Sequence, residues 1–241
     1  AAQSQASPYY NWYHFTRWPE EYDAWWGIKT LPAVDEGQDS YRAFIIRDRD
    51  SVVRRWLRAG ADGWRLDVAD ELPDDFIREI RRAMEEEKPD AVLIGEVWED
   101  GSNKIAYDRR RRYLLGRETH GLMNYPFRTA AIDWLLGGDA AAFRERMEEL
   151  RENYPSPAFY CAMNFLGTHD TARVLTLLAG EPVPESRSQR AAACLSPAGY
   201  RQAAARLRLG ALLLYAFPGS PTVYYGDCLL YTSPSPRDRT R

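Results

Sequence analysis

Three carboxylates stand where apolar, strand-like stretches end: Asp67 in Gly63-Trp64-Arg65-Leu66-Asp67, Glu96 in Leu93-Ile94-Gly95-Glu96, and Asp170 in Gly167-Thr168-His169-Asp170. Their types suit cleavage of an acetal, which needs one group to protonate the departing oxygen and another to meet positive charge on the anomeric carbon. Arg65 lies two residues before Asp67, so in a strand both side chains leave the same face and the guanidinium holds the aspartate ionised. Glu96 follows a glycine and precedes Val97 and Trp98, an apolar flank that favours the neutral acid. One carboxyl group kept charged and one kept neutral is the division such chemistry requires. Their separation of 29 residues matches a single strand–helix–strand unit, which sets the two groups on neighbouring strand ends.

Each residue also has a plainer reading. The chain carries 35 acidic residues, so chance pairs are plentiful, and an Asp after a strand is often a helix cap. A histidine beside a loop, as in His169-Asp170, is more often structural than catalytic. Three strand-end acids at barrel-like intervals weigh jointly for chemistry. His14 and His120 lack partners at ligand spacing and are read as structural; no metal site is assigned. No GxGxxG, P-loop or GxSxG stretch occurs, which removes the usual phosphate-cradle and serine-hydrolase signals.

The elements that would position these acids alternate strand and helix, which favours a parallel sheet with crossover helices. Acids at the C-terminal ends of successive parallel strands are how an α/β barrel presents catalytic groups. The periodicity predicts a helix over 51–59, with Val52, Val53, Trp56 and Leu57 on one face and Gly60 ending it. A strand over 62–68 follows, then a helix over 74–87 with Phe76, Ile77, Ile80 and Met84 as its buried stripe. The run 91–95 reads as a strand covered on both faces. Residues 123–125 read as a short strand leading into a helix with Pro126 near its start and Gly137 past its end. Further expectations are a helix over 140–152, a strand over 159–166, a helix over 198–217 and a strand over 222–225. That makes five strands, short of eight.

Composition bounds the class. With 241 residues, 45% apolar and 13% aromatic, the chain can bury a full core. A net charge of −3 and the absence of any 18-residue apolar run indicate neither nucleic-acid binding nor a membrane span. The basic run Arg109–Arg112, flanked by Asp108 and Glu118, reads as a solvated face. Cys161 and Cys194 show no CxxC spacing, so no disulfide framework is argued and a reducing compartment, the cytoplasm, is favoured. Residues 1–8 are polar and lack the apolar core of a signal peptide. Residues 228–241 interleave Ser, Thr and Pro without periodicity; the first eleven resemble a translated sequencing adapter, so the stretch is set apart from the fold.

The segment from Tyr9 to Trp26 is dense in rings: Tyr9, Tyr10, Trp12, Tyr13, Phe15, Trp18, Tyr22, Trp25 and Trp26. Two readings stand side by side. Such rings stack on sugar faces in a carbohydrate cleft, or they pack as a satellite core under a long loop.

Three stretches carry a family resemblance: Gly63-Trp64-Arg65-Leu66-Asp67-Val68-Ala69-Asp70-Glu71, Gly95-Glu96-Val97-Trp98 and Phe165-Leu166-Gly167-Thr168-His169-Asp170. Together they resemble signature stretches of the α-amylase family of glycoside hydrolases, family 13. Glu71, four residues past Asp67, is closer to the cyclomaltodextrinase, neopullulanase and maltogenic amylase branch than to α-amylases with Lys-His there. Leu31-Pro32-Ala33-Val34-Asp35 resembles that branch's Met-Pro-Lys-Leu-Asn loosely, departing at four of five positions.

The resemblance implies part of a (β/α)8 barrel, about strands four to eight. Residues 1–47 would close the loop excursion after strand three, and residues 48–227 would form the C-terminal part of the catalytic barrel. An open barrel leaves strand edges unpaired, so residues 1–227 alone are expected to fold poorly. The implied activity is hydrolysis of α-1,4 and α-1,6 glucosidic bonds in maltooligosaccharides, cyclodextrins, pullulan or starch, with retention. Asp67 is the implied nucleophile, Glu96 the general acid/base and Asp170 the transition-state stabiliser; Arg65, His169, Trp98 and Glu71 would contact substrate. No cofactor is required, structural calcium is left open, and homodimerisation of the intact enzyme is left open. The alternatives are an α-1,6-glucosidase, an α-glucan transglycosylase, a non-catalytic barrel relative and an inactive fragment.

Overall fold

The computed structural model describes residues 1–182, 186 and 194–227. The stretch 228–241 that the sequence sets apart lies outside the described residues. The chain divides into two compact units, Ala1–Arg65 with Glu71–Leu93, and Leu66–Asp70 with Ile94 onward.

The first unit opens with a two-stranded antiparallel ribbon, β1 (Phe15–Arg17) and β2 (Glu21–Tyr22). Its rings pack on one another: Tyr10 stacks on Phe15 at 5.2 Å, Phe15 meets Tyr22 edge-on, and Trp12 meets Tyr41 at 5.3 Å. The aromatic segment thus builds a satellite cluster. Helix α1 (Asp39–Arg42) leads through a wider turn, Ala43–Arg47, to α2 (Val52–Arg58). Ser51 caps α2 by accepting from the Arg54 N–H, and Gly60, at φ +109°, ends it. Val53 and Leu57 are buried, whereas Trp56 is 57% exposed, so the apolar face is narrower than its spacing predicts. Helix α3 (Asp74–Glu87) buries Phe76, Ile77, Ile80 and Met84, the stripe its 3.6-residue period demands.

The chain leaves this unit inside β3 (Gly63–Leu66) and again inside β4 (Val92–Gly95). In the second unit the Glu96 N–H donates to the Leu66 carbonyl at 2.9 Å, and β4 pairs in parallel with β7 (Gly121–Leu122). Between β4 and β7 lies a small hairpin, β5 (Ile105–Ala106) and β6 (Arg109–Arg110). A parallel bridge between Met123 and Met163 joins β7 to β8 (Met163–Phe165), which pairs in parallel with β9 (Ser220–Thr222). Five strands, β3, β4, β7, β8 and β9, therefore succeed one another in chain order.

The connections carry α4 (Tyr125–Leu135), α5 (Ala140–Asn153) and α6 (Ser156–Tyr160) after β7, and α7 (Val174–Leu178) and α8 (Pro197–Ala216) after β8. Tyr125 belongs to α4, not to a strand as its position predicts: Asn124 caps the helix through the Phe127 N–H, and Pro126 sits in its first turn. The apolar run 159–166 likewise divides, its start being the end of α6 and only Met163–Phe165 pairing as strand. Strand β9 starts two residues before its predicted span.

Buried Asn164 ties three strands. It accepts from Asn124 Nδ2 at 2.8 Å beyond β7 and donates to the Pro218 carbonyl at 2.9 Å before β9. Met123, Tyr125 and Phe165 form the adjoining core, with Ile94 and Met163 packed against it.

Candidate active site

The Asp67 carboxylate leaves the C-terminal end of β3 into solvent. The next residue, Val68, adopts φ +42°, a left-handed conformation that a β-branched side chain resists. Strain of this kind persists only where surrounding contacts impose it. Here the contact is visible: the Val68 N–H turns toward Glu96 Oε2, 2.8 Å away. The Ala69 N–H then donates to the Glu96 carbonyl at 3.1 Å. The turn that presents Asp67 is thus bonded to Glu96 through backbone and side chain alike.

Glu96 itself is 6% exposed. Its second oxygen, Oε1, accepts from the Trp98 indole N–H at 2.9 Å. Trp98, predicted as an apolar neighbour of the acid, is therefore a donor to it. The Trp98 ring stacks on Tyr125 with centroids 4.1 Å apart, and Tyr125 meets Phe165 edge-on at 4.9 Å. A rigid aromatic ladder runs from the β8 core to the acid, so Glu96 is positioned by packing as well as by hydrogen bonds.

Asp170 follows β8. Buried Thr168 accepts from the Asp170 N–H through its hydroxyl at 3.2 Å, and its own N–H donates to Thr171 Oγ1 at 3.1 Å. His169 Nε2 lies 3.2 Å from Asp170 Oδ2, both side chains reaching solvent. Asp67, Glu96 and Asp170 thus stand just past β3, β4 and β8 of one parallel succession. Arg65 and Glu71 belong to the first unit; Glu71 accepts the Trp26 indole N–H at 2.7 Å, and Trp26 is 79% exposed at φ +48°.

Three residues that sequence reading passed over also shape the site. Arg111, within the basic run read as a solvated face, is buried; it donates to the Asp70 and Ala69 carbonyls at 2.9 and 3.2 Å. Tyr113 donates to Asp70 Oδ1 at 2.6 Å, and Lys104 pairs with Asp70 Oδ2 at 3.0 Å. Together they fasten the turn that carries Asp67. The remaining arginines of the run, Arg109, Arg110 and Arg112, are exposed as expected. Asp227 approaches Gly167 so closely that a Cβ there would lie 3.0 Å from its carboxylate. Burial pushes the Asp227 carboxyl up to about 6 despite Arg173 and Arg128 nearby. Among the described residues no group of three or more His, Cys, Asp or Glu side chains is placed to hold a metal ion. His14 instead pairs with Asp23 at 3.1 Å.

The alpha amylase catalytic domain matches residues 9–238. Amylopullulanase of Thermoanaerobacter thermohydrosulfuricus is 37% identical over 92% of this chain and 16% of its own length. Neopullulanase 2 of Thermoactinomyces vulgaris is 30% identical over 86% of this chain and 33% of its own length. The ligand-free cyclic alpha-maltosyl-(1→6)-maltose hydrolase from Arthrobacter globiformis superposes with a TM-score of 0.77 at 28% identity, over 98% of this chain and 48% of that one. The chain thus spans less than half the length of these relatives. Strand-end acids on a parallel succession, and a domain match across nearly all residues, lead to one assignment: the chain belongs to the alpha-amylase family through its catalytic domain.

Proposed function

We propose that this chain carries the reacting groups of a retaining glycosidase acting on α-1,4 and α-1,6 glucosidic bonds of maltooligosaccharides, cyclodextrins, pullulan or starch. The observation that carries the reading is the grip on Glu96: Val68, next to Asp67, and Trp98 donate to its two oxygens. Asp67 attacks the anomeric carbon while Glu96 protonates the departing oxygen; Glu96 then takes a proton from water, which hydrolyses the glycosyl ester with net retention. Asp170 and His169 hydrogen-bond ring hydroxyls and hold the sugar in its distorted shape. The names of the relatives, amylopullulanase, cyclomaltodextrinase and neopullulanase, support the substrate class.

In this reading β3, β4, β7, β8 and β9 are strands four to eight of a (β/α)8 barrel, and residues 1–47 close the excursion after strand three. No helix among the described residues is long and apolar enough to cross a membrane. Cys161 and Cys194 are both thiols, the form that a cytoplasmic setting maintains. The test is Asp67→Asn in the intact enzyme carrying this chain. It keeps the side chain's shape, and turnover of β-cyclodextrin and pullulan is expected to fall about a thousandfold or more. Near-normal turnover would overturn the assignment.

A further inference from the structure

Asp170 stands on a turn whose internal hydrogen bonds are local. Thr168 and Thr171 close on each other, and the Asp170 N–H donates to the Thr168 hydroxyl. Such bonds give the turn its shape but do not settle where it stands on the sheet. Before the turn, Arg128 of α4 donates from Nε to the Leu166 carbonyl at 3.0 Å. After it, Arg173 sits just ahead of α7 and reaches across to the chain beyond β9, where its Nη1 donates to the Tyr225 carbonyl at 2.6 Å. The same guanidinium lies over the Tyr225 ring at 4.3 Å and the Tyr224 ring at 5.0 Å, and these two rings meet edge-on at 4.9 Å. Asp227, two residues further on, approaches Gly167 at the start of the turn, so the segment 224–227 meets the turn at both ends. One planar group that donates along its fork while its face lies on rings is work for a guanidinium; an ammonium is a point charge and cannot hold all of these directions at once.

We infer that Arg173 is a positioning residue for the reaction: by tying the turn after β8 to Tyr224 and Tyr225, it sets the Asp170 carboxylate where it meets the distorted sugar. The inference rests on the role proposed for Asp170. Arg173 is three residues from Asp170 in the chain, and its hydrogen bond spans 52 residues to the next strand's end. It therefore converts the fixed position of β9 into a fixed position for the acid. Contacts that Asp170 strengthens in the transition state depend on that placement more than ground-state binding does, so loss of the clamp falls on kcat rather than on KM.

The experiment is a double-mutant cycle in the intact enzyme, Arg173→Ala with Asp170→Asn, with kcat and KM measured separately on maltotriose. Arg173→Ala alone is expected to lower kcat about a hundredfold, the cost of a small misplacement, while KM changes less than about threefold. In the Asp170→Asn background the same change is expected to cost less than about threefold more, because the carboxylate it positions is already gone. Arg173→Lys keeps the charge and the stem, and takes the place of the alanine variant in the cycle if that variant misfolds. It is expected to lose kcat about tenfold with its thermal midpoint unmoved. Losses that multiply independently in the cycle, or a lysine variant that turns over at the unaltered rate, would overturn the inference and leave the active-site reading standing. Near-normal turnover of Asp170→Asn alone would overturn the role of Asp170 and this inference with it.

Discussion

At the scale of single residues, the three acids are legible in the sequence because each follows an apolar run that the fold makes a strand. What holds them is less legible. Nothing in the run Arg109-Arg110-Arg111-Arg112 tells which arginine turns inward, since alternation along a two-residue strand is too short to set a face. Arg111 is fixed by tertiary contacts with carbonyls some forty residues earlier. The same holds for Asp227, whose environment comes from the Gly167 backbone and from Arg173 and Arg128. Its carboxyl group is raised to about 6, above its unfolded value, mainly by burial. A raised carboxyl binds its proton more tightly when folded, so its contribution to stability is fully present below about pH 4 and is lost as pH rises through about 6. Asp227→Asn mimics the neutral form at every pH. It is expected to remove this decline and to raise stability at pH 7 by about 1 kcal/mol, a figure already reduced for solvent screening. Thermal unfolding of both forms at pH 4, 5, 6 and 7 checks it; parallel curves for the two proteins would refute the argument.

At the scale of elements, regular periodicity was readable and short apolar runs were not. Helix α3 begins and ends where its stripe predicts because Phe76, Ile77, Ile80 and Met84 repeat at helical spacing over more than two turns. The run 159–166 has no such length. Pro155 and Pro157 open α6, and the chain becomes a strand only from Met163, a division that apolar character alone cannot reveal. Trp56 shows the opposite limit, since helical phase groups it with Val53 and Leu57 while the fold buries those two and leaves Trp56 exposed. Backbone approach is another quantity hidden from sequence. A Cβ on Gly63 would lie 1.9 Å from the Val92 carbonyl oxygen, so β3 and β4 can come this close only with glycine there. Gly63→Ala must push the strands apart just before Asp67 and Glu96. The expected cost is about 3 kcal/mol or more, and activity should fall further than stability alone explains. Urea denaturation with a parallel assay separates the two; an unchanged midpoint would contradict the packing argument.

For the molecule as a whole, the order β3, β4, β7, β8, β9 follows from the alternation of strands and helices, with three acids past the ends of the first, second and fourth of these strands. The two-unit division was not readable, because two of its borders fall inside β3 and β4 and the third between Asp70 and Glu71, none of them at a Pro- or Gly-rich linker. Family membership joins these levels: the short motifs that suggest chemistry are the ones the fold sets at strand ends. The central claim is that Asp67 forms a covalent bond to the sugar. The most direct measurement is trapping with 5-fluoro-α-D-glucosyl fluoride, followed by peptide mass spectrometry of the intact enzyme. The carboxylate displaces fluoride from the anomeric carbon, and the ring fluorine slows hydrolysis of the ester by destabilising its cationic transition state. The account predicts one glucosyl adduct, on the peptide containing Asp67 and on that residue. An adduct on another residue, or turnover of the reagent with inversion and no adduct, would contradict it.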